Sequence, residues 1–242
     1  MISRLPILAL LMLASLPAPS DGAAPATRNY SVPSFDRIRI DGPYKVELKT
    51  NVSPFARATG APLSLDGLSV AVEGRTLVIR KGSGGWGGYD GEGRGPVTIE
   101  VGTPDLKTAW INGAGWLSVD KVRGLSFDLA IQGTGVAELG QVDVDQLKAG
   151  ISGTGAIRLA GSAASLTATV RGPSSFEADR LQVKDAVIGA EGPAIVRAAV
   201  SNSAKVDALG LASVTLTGNP ACTVKAQGSA TVTGCKQGDS GY

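Results

Sequence analysis

Few residues in this 242-residue chain have types and spacings suited to chemistry, and histidine is absent. Without it, Ser-His-Asp and Cys-His nucleophile systems are excluded in their standard forms. The two cysteines, Cys222 and Cys235, make a poor metal set by themselves. In an exported chain they can oxidise. A bridge would close a loop of about thirteen residues and contribute roughly 3 kcal/mol by restricting the unfolded chain. Free thiols or a metal pair are the alternatives. A polysaccharide hydrolase or lyase would need carboxylates gathered on one face. The candidates are Asp120, Asp128, Asp143, Asp145, Asp179 and Asp185. Within the repeating frame described next, only Asp120 and Asp179 share a position, and three repeats separate them. Solvated surface is the expected role, so no catalytic, cofactor-binding or metal-binding residue is assigned. The remaining candidates are Trp86 and Tyr89. They lie in a glycine-rich stretch, 82–95, that reads as a mobile loop, where exposed aromatics can bind carbohydrate or protein or fold back onto the molecule.

The elements that must carry these residues repeat. Ile111-Asn112-Gly113-Ala114-Gly115 is followed by Ile131-Gln132-Gly133-Thr134-Gly135 and Ile151-Ser152-Gly153-Thr154-Gly155. Degraded copies place further markers at 172, 192, 211 and 228. The spacings are 20, 20, 19, 20, 19 and 17. A period in this range is the signature of a solenoid. Four places after the marker sit Leu117, Ala137, Ile157, Phe176, Val196 and Val232. Six places after it sit Val119, Leu139, Leu159, Ala178 and Ala198. Two places before it sit Ile111, Ile131, Ile151, Val170, Ala190, Leu209 and Ala226. These columns are expected inside. Between the first two columns, Ser118, Glu138, Arg158, Glu177 and Arg197 are expected outside, because side chains alternate along a strand. Their charges alternate in sign and predict a ladder of opposite charges from coil to coil. The pattern specifies an all-β parallel β-helix or related right-handed solenoid with coils of about 20 residues. Trp110 and Trp116 flank the first Gly-x-Gly and are expected to pack where the N-terminal strands join the coils.

Gly-x-Gly also occurs in dinucleotide sites, but there a strand and turn lead into a helix. Here every copy leads into another strand, which makes it a corner. The calcium-binding β-roll nonapeptide is absent too, since Gly-Thr-Gly-Val-Ala-Glu lacks its aspartate. Upstream, Phe35 to Thr50 alternates around a turn at Asp41-Gly42-Pro43. Two strands flank Glu73-Gly74-Arg75, and a further strand runs from Pro96. No stretch after the leader shows a helical stripe, so helix should be scarce.

Residues 1–23 read as a signal peptide: one basic residue, an apolar run from Leu5 to Leu16, then small residues and prolines. That run is too short for a stable spanning helix, and no second long apolar run follows. Residues 24–34 are expected to be a flexible segment, 35–236 a single β-helical domain, and 237–242 a flexible tail. The net charge of +2 is unchanged by losing Arg4 and Asp21 with the leader, and basic residues are scattered. Neither nucleic acid nor an anionic membrane is indicated as a partner.

Three features together resemble the auto-transporter adhesin head GIN domain family. They are Phe35-Asp36-Arg37-Ile38-Arg39-Ile40-Asp41-Gly42, the turn and strand Gly74-Arg75-Thr76-Leu77-Val78-Ile79, and the repeated Ile-x-Gly-x-Gly. The resemblance covers roughly Phe35 to Lys236. It implies a β-helical domain, bacterial export and an adhesin role, and it carries no catalytic residues. The chain departs from the pattern at Gly172-Pro173-Ser174 and Gly192-Pro193-Ala194, where the second glycine is lost. The expected function is a non-catalytic adhesin-like or scaffold module in the periplasm or at the cell surface, binding a glycan or an envelope protein. A polysaccharide-active enzyme on the same rod and a purely structural envelope protein are the alternatives.

Overall fold

The computed structural model describes residues 24–82 and 95–236. Its central part is a stack of long extended coils: β9 (Trp116–Gly133), β10 (Val136–Gly153), β11 (Ala156–Arg171), β12 (Ser175–Glu191) and β13 (Ile195–Gly210). Each pairs in parallel with the next. Inside β10 the buried residues are Ala137, Leu139, Val142, Val144, Leu147, Ala149 and Ile151. The strand period of two breaks to three after Leu139 and again after Val144. A step of three keeps side chains inward only if the backbone turns, so each coil has three sides around one core. Leu117, Ala137, Ile157, Phe176 and Val196 superimpose and are each 0% exposed.

Corner glycines superimpose as well. Gly113 lies opposite Gly133, and Gly133 opposite Gly153. All three have left-handed φ, from +96° to +132°. A Cβ on Gly153 would overlap the carbonyl of Gly133, so both φ and the close approach of successive corners require glycine. Where the second glycine is lost, the corner is repaired differently. The buried Ser174 hydroxyl donates to the carbonyls of Gly153 and Arg171, at 3.1 Å each.

The structure corrects the frame at both ends. The sixth marker is Gly210, not Leu211: Gly210 has φ +78° and pairs with Gly228. Ala208 therefore fills the inward column at 0% exposure, while Leu209 is 40% exposed. The last two spacings become 18 each. Ala226, also expected inside, is exposed because nothing stacks beyond it. At the other end, Gly42 is an unrecognised marker. It has φ +126° and follows Asp41, which pairs with Asn112. Ile40, Val46 and Leu48 occupy the three inward offsets around it, and all are buried. They belong to β2 (Arg37–Asp41) and β3 (Lys45–Thr50), which pair in parallel with β8 (Thr108–Gly113) and β9.

Between β3 and β8 the chain builds a cap. β4 (Phe55–Gly60) and β7 (Thr98–Thr103) extend one sheet edge beyond β3. β5 (Leu68–Glu73) and β6 (Thr76–Lys81) extend another beyond β2. Between these two wings lies the short α1 (Pro62–Asp66), whose Leu65 is 2% exposed. The segment 24–34, expected to be flexible, carries regular structure over part of its length. It contains β1 (Ala26–Tyr30), antiparallel to β4, because the outer edge of β4 offers unpaired backbone groups and Tyr30 packs against the core. Residues 1–23 and 237–242 lie outside the described residues.

At the C-terminal end, β14 (Ser213–Thr217), β15 (Ala221–Gly228) and β16 (Thr231–Thr233) form the last partial coil. A disulfide joins Cys222, on β15, to Cys235, just beyond β16. The expected charge ladder forms in part. Arg158 donates to Glu138 at 2.8 Å and to Glu177 at 3.2 Å, and these groups are half-buried by one another rather than fully exposed. Arg197 stands opposite Glu177, but no ion pair joins the two among the described residues.

Candidate functional site

One outer side of the rod carries a shallow trough. Its floor is a column fixed by strand register: Arg39, Trp110, Ala130, Gly150, Thr169 and Gly189. Small residues follow the tryptophan, so the floor drops between taller neighbours. Asn112, Gln132, Ser152 and Arg171 line one bank, and Asp128, Lys148 and Thr167 the other. Three depressions of about 420, 270 and 170 Å³ lie in it: the first lies toward Arg39, and the other two flank the Ala130–Gly150–Thr169 column on either side. Trp110 lines the first two, and Ala130 and Gly150 line the second and third. The largest is bounded by Arg39, Glu73, Thr76, Val78, Trp110 and Asn112.

Most charges in the trough are held by partners. Arg39 Nε lies 3.0 Å from Asp41 Oδ2, whose other oxygen accepts from Asn112 Nδ2 at 2.6 Å. Arg80 Nη2 donates to Glu73 at 3.0 Å. Arg171 Nε lies 3.3 Å from Glu191, and Lys148 stands opposite Asp128. The side chains present apolar area, amides, hydroxyls and balanced charges. Such a surface can hold a ligand, and among the described residues no nucleophile activated by a base is built into it.

The two junction tryptophans differ. Trp116, itself half-exposed, stands opposite Lys45 at the join, with the Lys45 ammonium 4.9 Å from its ring centroid. Trp110 sits at the same join, but its half-exposed ring lines the trough. Sequence reasoning missed it because one tryptophan beside a corner resembles the other. The available signal was the small-residue column one coil on, at Ala130 and Gly150. Trp86 and Tyr89 lie outside the described residues.

The carboxylates do not converge. Asp120 accepts from the backbone N–H groups of Thr50 and Lys121, at 3.0 and 2.6 Å. Asp185 accepts from Ser203 Oγ at 2.6 Å and Asn202 Nδ2 at 2.7 Å. These two bonds hold the Asp185 carboxyl below the usual range. Among the described residues, no three His, Cys, Asp or Glu side chains gather into a metal-ion cluster.

Fold and surface together define a capped parallel β-solenoid with a ligand-sized trough on one side. The chain belongs to the family described as "Putative auto-transporter adhesin, head GIN domain", which matches residues 34–220. No curated protein sequence matches it. Among solved structures, it is similar to a "putative adhesin" from Bacteroides fragilis, with TM-score 0.76 and 18% identity, covering 86% of this chain and 95% of that one. It is also similar to a "Putative lipid binding protein" from Parabacteroides distasonis, with TM-score 0.70 and 20% identity, covering 86% and 96%. A "putative adhesin" from the same species gives TM-score 0.68 and 15% identity, covering 88% and 97%. At these identities the likeness shows a shared fold. No helix among the described residues is long and apolar enough to cross a membrane.

Proposed function

We propose that this protein is a non-catalytic, exported binding module of the bacterial cell envelope, acting in the periplasm or at the cell surface. The observation that carries this reading is the trough at Trp110: a half-exposed aromatic on a sheet, beside paired charges, without convergent carboxylates among the described residues. Adhesin family membership and the leader-like residues 1–23 support export. The ligand is a glycan or a protein held on the outer columns of the rod. The name of one structural neighbour raises lipid as a further ligand class, but the trough is shallow and polar-banked, which suits a lipid tail poorly.

The test is retention of labelled protein on envelope preparations and intact bacterial cells, comparing the wild type with Trp110→Ala. Retention that falls at least ~10-fold supports the site. Equal retention of both proteins rejects it. A Trp86→Ala/Tyr89→Ala variant run in parallel tests the role expected of those two aromatics.

A further inference from the structure

We infer that the trough takes an uncharged, extended glycan laid along the rod axis, crossing the strands, with Trp110 as its stacking platform. This rests on the binding reading above and narrows it.

Charge argues first. The cations in and beside the trough are Arg39, Arg80, Lys148 and Arg171; the anions are Asp41, Glu73, Asp128 and Glu191. That is four against four, and three of the cations sit within 3.3 Å of an anion. An anionic glycan needs a surplus of free cations to hold it, and here only Lys148, opposite Asp128, lacks an ion pair among the described residues. An uncharged ligand leaves these pairs intact.

Chemistry argues second. The Trp110 ring offers a flat apolar face with one N–H donor. A pyranose has the complementary form, with an apolar C–H face and a rim of hydroxyls. The groups needed to meet those hydroxyls recur along one bank in Asn112, Gln132 and Ser152, with Thr169 on the floor of the next coil. Each can donate and accept, and they repeat once per coil, about every 4.8 Å. A row of this kind suits a polymer with a repeating unit.

Glycine argues third. Gly150 sits mid-strand without a left-handed φ, and a Cβ there would meet nothing closer than the Thr169 carbonyl at 3.9 Å. Neither conformation nor packing requires glycine, which weakens a strand interior. A ligand lying close over the floor does require it. A polypeptide is the poorer occupant. The trough crosses the middle of a sheet whose backbone groups are already paired, so strand addition is unavailable.

The experiment is calorimetric titration of the full chain with neutral glucan, mannan and galactan oligosaccharides, with polygalacturonate as the anionic comparison. The expected result is binding to a neutral series with affinity rising with chain length. That affinity should be unchanged at ~1 M salt, where charges are screened beyond about 3 Å. Trp110→Ala should weaken it at least ~10-fold. Gly150→Gln should weaken it comparably while leaving the melting temperature equal or higher, which separates a blocked floor from a damaged fold. Binding confined to polygalacturonate and lost in salt overturns the inference, as does neutral binding that neither variant changes. Trp110-dependent retention on cells that survives periodate but not protease overturns the glycan and leaves the site standing. Retention without any Trp110 dependence overturns both readings.

Discussion

Arg158 Nη1 lies 2.8 Å from Glu138 Oε1, joining two successive coils across the outside of the rod. The same guanidinium reaches Glu177 on the following coil, and both contacts push its pKa further above its ordinary value. All three groups are about one-third exposed or more, so each contact is worth at most about 1 kcal/mol. Its larger effect is on register, since a slip of one coil would set like charges together. Arg158→Ala removes both contacts and should cost up to ~2 kcal/mol in urea unfolding, and Arg158→Glu should cost more. Both penalties should shrink at ~1 M salt. A salt-independent penalty would assign the effect to packing of the arginine stem instead.

Two glycines should behave in opposite ways. Gly153→Ala forces a left-handed φ of +132° on alanine and drives its Cβ into Gly133. It should cost about 2 kcal/mol or more. Gly150→Ala, in ordinary extended backbone with open space, should be neutral or stabilising by up to ~1 kcal/mol. Paired thermal melts decide the point. Equal effects would show that corner stacking does not discriminate between them.

The core should be most sensitive at its largest fully buried side chains. Phe176 is fully buried between Ile157 and Val196. Phe176→Ala should cost about 3–5 kcal/mol in chemical denaturation. A loss below ~1 kcal/mol would mean that the coils collapse around the cavity.

Reduction of Cys222–Cys235 should act locally. The bridge closes 13 residues and is worth about 3 kcal/mol to the unfolded-state entropy. Coils in a solenoid contact mainly their neighbours. Hydrogen exchange should therefore accelerate in β15 and β16 on reduction, while β9 to β11 stay protected. Uniform acceleration along the rod would show that it unfolds as one cooperative unit.

Alkaline pH should find the cap. Burial pushes the Tyr30 and Tyr44 hydroxyls above their ordinary value, with the Arg28 guanidinium opposing the shift at Tyr30. A folded pKa above the unfolded one means the native state holds its proton longer. Stability is then complete below about pH 10 and falls as pH climbs through the folded value. The Tyr30 hydroxyl is buried without a hydrogen-bond partner among the described residues, so Tyr30→Phe should be neutral or stabilising at pH 7 and flatten the alkaline loss. A steeper loss in Tyr30→Phe would contradict this account.

The sequence by itself determined the stack. Ile-x-Gly-x-Gly at a 20-residue period leaves few ways to bury the columns at Leu117, Ile157 and Phe176 other than parallel coils, because the same spacing must place like residues together. It also located the charge ladder and the pair Cys222–Cys235. Tertiary structure decided the rest. Gly42 escaped notice because 71 residues separate it from Gly113, and the intervening strands fold into a cap whose closure depends on long-range pairing. Gly210 and Leu211 could not be ranked from local pattern, since apolar residues stand on both sides of the sheet there and only pairing with Gly228 sets the register. The segment 24–34 gained β1 from the free edge of β4, a partner invisible in its own composition. The trough at Trp110 came last, since its floor joins residues from six separate strands. No local signal ranks one outward column above another until the coils are stacked.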